Sequence, residues 1–251
     1  MWEKLNELRQ EFLNTPELNT KTYKNYLIQR LLYEILKLED NPLPEQDFAK
    51  IITTGKRPRS TDGTKAYDLW QAWVFIAKTT QEHEKLNLTF MQAIAAKVMK
   101  HTGGETTTSV GRYDSSLGDF RLGEDYNEVY PLADYRKIPA LLAFACRDVN
   151  ARIDKANGIQ TLRLAADFMY EFAHIRPFGA GNLETGLLAM NYIQLYHDEP
   201  LLILYADERP GLLNALKRGK ISQTPETFEE FIACQQIKFL TEQLDALQAG
   251  A

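Results

Sequence analysis

Two cysteines in 251 residues are too few for a disulfide framework, and Cys146 and Cys234 lack the short spacing of a metal or redox pair. Both fall within apolar helical patterns, which assigns them to a packed interior in a reducing compartment. Basic charge is not in excess either. With 29 Lys and Arg against 34 Asp and Glu, the net charge is −5, so a general nucleic-acid surface is excluded and any phosphate recognition has to be local. No apolar run reaches the roughly 18 residues that a membrane-spanning helix needs, so no membrane association is expected. The stretch MWEKLNELRQ is charged and helical where a signal peptide is basic and then apolar, and the expected location is the cytoplasm. Internal repeats, low-complexity runs and evident linkers are missing as well.

What is present is helical periodicity over a chain that is 44% hydrophobic, enough to bury a large core. Leu5, Leu8 and Phe12 share one face, and Tyr23 to Leu38 places Tyr26, Leu27, Leu31, Leu32, Ile35 and Leu38 on another. Further helices are predicted over Pro44 to Ile52, over Tyr67 to Thr79 with Trp70, Trp73, Val74 and Ala77 inward, and over Leu88 to His101. After a break the pattern resumes at Tyr135 to Ile153, Thr161 to Ile175, Leu183 to Tyr196 and Phe228 to Leu247. The break, Thr102 to Pro131, is rich in Gly, Ser and Thr. Within it, Phe120-Arg121-Leu122 and Glu128-Val129-Tyr130 flank Gly123-Glu124-Asp125, which reads as a hairpin. The aromatics Trp70, Trp73, Phe75, Phe168, Tyr170 and Phe172 recur at helical spacing and are expected in the core. The basic turn Lys56-Arg57-Pro58-Arg59 reads as a solvated loop.

The segment FAHIRPFGAGNLETGLLAMN, Phe172 to Asn191, carries the most information. Pro177 has no backbone donor and drives Arg176 out of the right-handed helical region, so one helix must stop there. Gly179-Ala180-Gly181-Asn182 then allows a tight turn whose N–H groups converge at the start of the next helix. A phosphate or carboxylate is favoured at such a place, with Gly179, Gly181 and Asn182 as its candidate contacts.

In register, Arg176-Pro177-Phe178-Gly179-Ala180-Gly181-Asn182-Leu183-Glu184-Thr185-Gly186-Leu187 resembles the signature of the Fic (Fido) family of AMP transferases. That signature runs His-Pro-Phe, any residue, Asp or Glu, Gly-Asn-Gly-Arg, two residues, Arg. Pro177, Phe178, Gly181 and Asn182 agree. Leu38-Glu39-Asp40-Asn41 resembles the family's inhibitory helix, with Glu39 in the place of its glutamate. The Gly111-Arg112-Tyr113 step and the Asp119 to Pro131 hairpin fall where the family places similar features, and the MNYIQLYHDEPLLIL run is similar to its helix after the motif.

The resemblance implies an all-α, Fic-like helical bundle with a short β-hairpin flap, as one domain over 1–251. Its N-terminal helices, 1–60, resemble the inhibitory region. The core occupies 61–251, with the flap near 111–131 and the motif loop at 176–187. It implies transfer of AMP from ATP to a hydroxyl, with a protein target docked along the 119–131 hairpin. The side chains that would carry this chemistry are changed. Arg176 stands at the general base, and a guanidinium does not give up its proton near neutral pH. His174 lies two residues upstream, about 200° around a helix, and points elsewhere. Ala180 replaces the carboxylate that binds Mg²⁺, so Mg²⁺ is not expected. Glu184 and Leu187 replace two phosphate-clamping arginines, and Glu39 loses its partner.

Losing a base alone removes ~10²–10⁴-fold in rate. The expectation is a catalytically inactive Fic-fold protein, a binding or regulatory module with ATP, another nucleotide or a phosphate group as candidate ligand at the loop. The alternative is an active Fic-type transferase with altered residues, in which Arg176 stabilises developing charge. A third reading is a regulatory subunit of a competent chain.

Overall fold

Thr20, Ser60 and Asn87 each accept a hydrogen bond from the backbone N–H three residues on, and each opens a helix. In the computed structural model, which describes residues 1–123 and 132–250, ten α-helices follow one another with a single hairpin between the fifth and sixth. They are α1 (Trp2–Asn14), α2 (Lys21–Leu38), α3 (Glu45–Thr54), α4 (Thr61–Gln81), α5 (Leu88–Val98), α6 (Ile138–Arg152), α7 (Ile159–Ile175), α8 (Asn182–Leu195), α9 (Arg209–Ser222) and α10 (Glu226–Gly250). The hairpin pairs β1 (Glu105–Thr108) with β2 (Gly111–Asp114) antiparallel, Thr106 opposite Tyr113 and Thr107 opposite Arg112. The fold is all-α with a small β-hairpin, as the sequence led us to expect.

Residues Thr185 to Gln194 of α8 are buried on every side, so α8 is the central helix, with α7, α4, α5 and α2 around it. Buried Asn191 is fully engaged there. Its amide nitrogen donates to the Leu187 and Leu202 carbonyls at 3.0 and 3.1 Å, and its oxygen accepts from Leu202 N–H at 2.9 Å. These bonds hold Leu201 to Tyr205, a buried segment without regular structure, against the helix. The helix predicted over Leu183 to Tyr196 is thus found as α8, ending at Leu195. Asp198 adopts a left-handed conformation (φ 53°) and Pro200 follows, and neither can continue a helix.

Three expectations are revised. The described hairpin lies at 105–114, upstream of the predicted one, because β-branched Thr106, Thr107 and Thr108 favour a strand and Gly111 (φ 146°) closes the turn. Of the predicted hairpin, residues 124–131 lie outside the described residues. Its first limb pairs with the motif, as Phe120 bridges Phe178 and Arg121 N–H donates to the Pro177 carbonyl at 2.9 Å. Cys146 is buried, and burial pushes its thiol up to about 12, whereas Cys234 is exposed. On α4 the inward face is Ala66, Leu69, Ala72, Trp73 and Ile76, and Val74 is exposed. No element was assigned over 209–222, where α9 lies.

Arg121 is almost wholly buried, at 2% exposure, and its guanidinium serves main-chain carbonyls. Nε donates to Arg176 at 2.7 Å, Nη2 to Ala133 at 2.6 Å and to Ile175 at 3.3 Å, and Nη1 to Gly123 at 3.2 Å. A cation at the C-terminus of α7 also suits the helix dipole. Arg121→Met should lower unfolding free energy by about 3 kcal/mol, because buried carbonyls lose charged donors. The urea midpoint measures this, and a loss below about 0.5 kcal/mol would show that Arg121 does not anchor the loop.

Candidate active site

Between α7 and α8 the chain makes the turn that the sequence anticipates. Arg176 N–H caps α7 on the Phe172 carbonyl at 2.8 Å, and Arg176 itself is left-handed (φ 45°, ψ 67°), a costly conformation for a residue with a Cβ. Gly181 is left-handed too (φ 70°) and forms the N-cap of α8. Asn182 locks the turn from within. Its Oδ1 accepts from Phe178 N–H at 3.0 Å, and its Nδ2 donates to the Phe178 carbonyl at 2.7 Å. Gly179 lies under the Tyr113 ring of β2, so close that a Cβ there would sit 2.3 Å from a ring carbon. The hairpin thus rests on the loop only because residue 179 has no side chain.

A cavity of about 450 Å³ opens against this loop. Arg176, Gly179, Ala180, Gly181 and Asn182 form one wall, and Glu39, from the end of α2, lines it as well. The residues singled out by sequence are therefore brought to one place. Two contributors were missed. Arg209 enters from the unassigned helix α9 and is ion-paired with Asp40, and Lys65 of α4 bears on Glu39 from a second, smaller cavity of about 130 Å³. The Pro210 signal at the start of α9 was available in the sequence, but nothing in the α4 pattern marks Lys65.

The smaller cavity shares Glu39, Ala180 and Gly181 with the larger and is lined by Lys65 and Glu184. Glu39 and Glu184, which take the places of a family carboxylate and a family arginine, therefore face each other with a lysine as counter-ion. Burial, and secondarily the Glu39 charge, pushes the Glu184 carboxyl up to about 7, while Lys65 opposes the shift. Glu39 is raised as well, chiefly by desolvation, against the pull of Arg209, Lys65 and Arg176. Glu39 is nonetheless exposed along part of its surface, so Glu184 is the group whose shift carries weight. Leu187, at the second arginine position, is 1% exposed inside the core and cannot reach a ligand.

None of the four histidines, all of them described, lines the larger cavity. His174 is buried with Nδ1 2.7 Å from the Tyr170 carbonyl, and burial lowers its pKa. His101 is held by Asp68 at 2.6 Å, His197 Nε2 lies 2.6 Å from the Ile153 carbonyl, and His83 packs edge-on against Tyr196. The donor set also does not suit Mg²⁺ at the loop, since Ala180 offers no side-chain carboxylate there.

Glu184 titrates near 4.3 in an unfolded chain and at about 7 in the fold, so the folded state binds the extra proton between those values. Its contribution is complete below about pH 4 and is lost as the pH rises through about 7. Glu184→Gln should therefore match the wild type at pH 4 and exceed it at pH 8 by on the order of 1–3 kcal/mol, a melting shift of about 2–4 °C per kcal/mol. Equal wild-type and variant melting temperatures at pH 8 would contradict the raised Glu184 carboxyl.

The profile of the Fic/DOC family matches residues 85–194, which span α5 to α8 and include the motif loop. No curated protein matches the chain by sequence. Among solved structures, a Fic domain containing signaling protein from Bacteroides thetaiotaomicron is similar at TM-score 0.77 and 16% identity, over 95% of this chain and 93% of that one. Fic-1 from C. elegans is similar at TM-score 0.75 and 15% identity, over 100% of this chain and 72% of that one. A Fic family protein from Desulfovibrio desulfuricans gives 0.71 and 16%, over 97% and 73%. At such identities these likenesses establish the fold. The chain thus has a Fic-like fold, and its segment from α5 to α8, motif loop included, matches the Fic/DOC family.

Proposed function

We propose that this protein is a Fic-fold binding module that no longer transfers AMP and holds one small anionic group at the motif loop. The observation that carries the reading is Arg176 at the position of the family's base, with every histidine of the chain away from the cavity. An acid–base step needs a group that exchanges a proton near neutral pH, and a guanidinium does not. The frame for an anion is nevertheless retained. The first N–H groups of α8 have no helical acceptors, the helix dipole favours negative charge there, and Arg176 and Arg209 add two cations to the wall. A polyphosphate fits poorly, since its outer groups would meet Glu39 and Glu184 where a clamp of arginines is needed. We assign Glu39 the role of guarding this anion site by its charge, in place of pairing with a motif arginine. A cytoplasmic location suits its free thiols.

Two measurements on the full chain test this reading. Labelled ATP with Mg²⁺ and a panel of protein hydroxyl acceptors should give no transfer above background, and Arg176→His should give none either, because Ala180, Glu184 and Leu187 remain. Inorganic phosphate should raise the melting temperature in a saturable way that Arg176→Gln abolishes, since a ligand at 100 times its Kd stabilises by about 2.7 kcal/mol. Transfer by either protein would overturn the inactive reading. The absence of any shift with phosphate, AMP or an organic carboxylate would overturn the anion site.

A further inference from the structure

A separate cavity opens at the far end of α8. Its volume is about 140 Å³, and Phe12 of α1, Leu18, Leu27 of α2, Trp73 of α4 and Leu201 form its apolar interior. Helix α8 has 14 residues, which places this cavity about 20 Å from the motif loop. Nothing in it depends on what that loop binds. Its size excludes nucleotides and other large ligands, which occupy ~300–1,000 Å³. An apolar cavity of about 150 Å³ takes up one benzene, so this one is matched to a single ring.

The walls are held by bonds within the chain. Asn19 Nδ2 donates to the Leu13 and Thr15 carbonyls at 2.9 and 3.0 Å, which fixes the connection between α1 and α2. Buried Glu199 pairs with Arg9, and its Oε1 accepts from Gly158 N–H at 3.0 Å, which fixes the segment after α8. Two further polar residues on the lining, Lys24 and Asp198, are exposed and stand at the mouth. Among the described residues neither side chain makes an ion pair.

Those two side chains carry opposite charges, and each lies at a helix end of its own sign. Lys24 is in the first turn of α2, where the helix dipole is positive, and Asp198 follows the C-terminus of α8, where it is negative. A ligand with a single charge would be drawn to one side of the mouth and repelled by the other. A molecule that carries both charges and no net charge satisfies the two together.

We propose that this cavity binds a free α-amino acid with a benzyl-sized apolar side chain. The ring fills the interior, the α-carboxylate meets Lys24 and the α-ammonium meets Asp198. Burial of the ring supplies most of the affinity, about ten- to 150-fold over a ligand without it. Ion pairs exposed to water add at most about fivefold each, so they select the head group without dominating the binding.

Titration of the full chain at pH 7 with phenylalanine, alanine, tryptophan, phenethylamine, 3-phenylpropanoate and benzyl alcohol, followed by ligand-observed NMR, tests this directly. Phenylalanine should bind at least tenfold more tightly than alanine, and tryptophan more weakly than phenylalanine because an indole exceeds the space. Phenethylamine and 3-phenylpropanoate, each with one charge, should both be weaker than phenylalanine. Lys24→Gln should weaken phenylalanine and 3-phenylpropanoate about two- to fivefold and leave phenethylamine unchanged. Asp198→Asn, which keeps a residue that tolerates the left-handed backbone, should weaken phenylalanine and phenethylamine and leave 3-phenylpropanoate unchanged. Ile28→Phe and, independently, Leu13→Phe should fill the cavity and abolish binding, with melting temperature recorded to show that each variant folds. Benzyl alcohol binding as tightly as phenylalanine, or the two charge substitutions weakening every ligand alike, would overturn the amino-acid assignment. Binding that persists in both filled variants, or no binding of any ring compound, would overturn the site.

Discussion

The reciprocal bonds between Asn182 and the Phe178 main chain hold the site together. They close the five-residue turn from Phe178 to Asn182, and they set where α8 begins. Because α8 is buried on every side, its starting point fixes the register of the helices around it. Arg121 reinforces the turn from the other side by binding the last carbonyls of α7, and Phe120 stacks on Phe178 with ring centroids 5.7 Å apart. The loop is thus held by main-chain and framework contacts. None of these contacts uses the side chains at positions 176, 180, 184 or 187.

That separation is what the proposed loss of AMP transfer requires, a frame built without the side chains that differ from the motif. Replacing an arginine by Glu184 inverted a local charge, and the structure accommodates the inversion with Lys65 and with a carboxyl that keeps its proton to near neutrality. Glu39, left without a motif arginine, takes its place among Arg176, Arg209 and Lys65 instead. The motif loop thus stands opposite a wall of leucines from α8 and α9.

The features that could be read from the sequence are those set by local backbone chemistry. Pro177, Gly181 and the apolar periodicity on either side determine α7, the turn and α8, and the register of the motif carries Glu39 and Arg176 to the same cavity. The shortcomings have physical causes as well. The threonines of β1 are mostly exposed, so they show no alternation of apolar and polar residues to mark a strand. Helix α9 buries only Leu212, Ala215, Leu216 and Gly219, too narrow a stripe to stand out. Lys65 and Arg209 reach the cavity through tertiary packing, which no local pattern records. The helix predicted over Leu183 to Tyr196 is found at Asn182–Leu195, and the left-handed Asp198 beyond it is a conformation that sequence alone does not specify.

The most direct measurement is a crystal structure of the protein grown with inorganic phosphate. The account predicts a phosphate at the N-terminus of α8, contacted by Arg176 and the loop N–H groups, with the Asn182 to Phe178 bonds unchanged. A loop without the anion at saturating phosphate, or one whose Asn182 has left Phe178, would contradict a frame that outlives its chemistry.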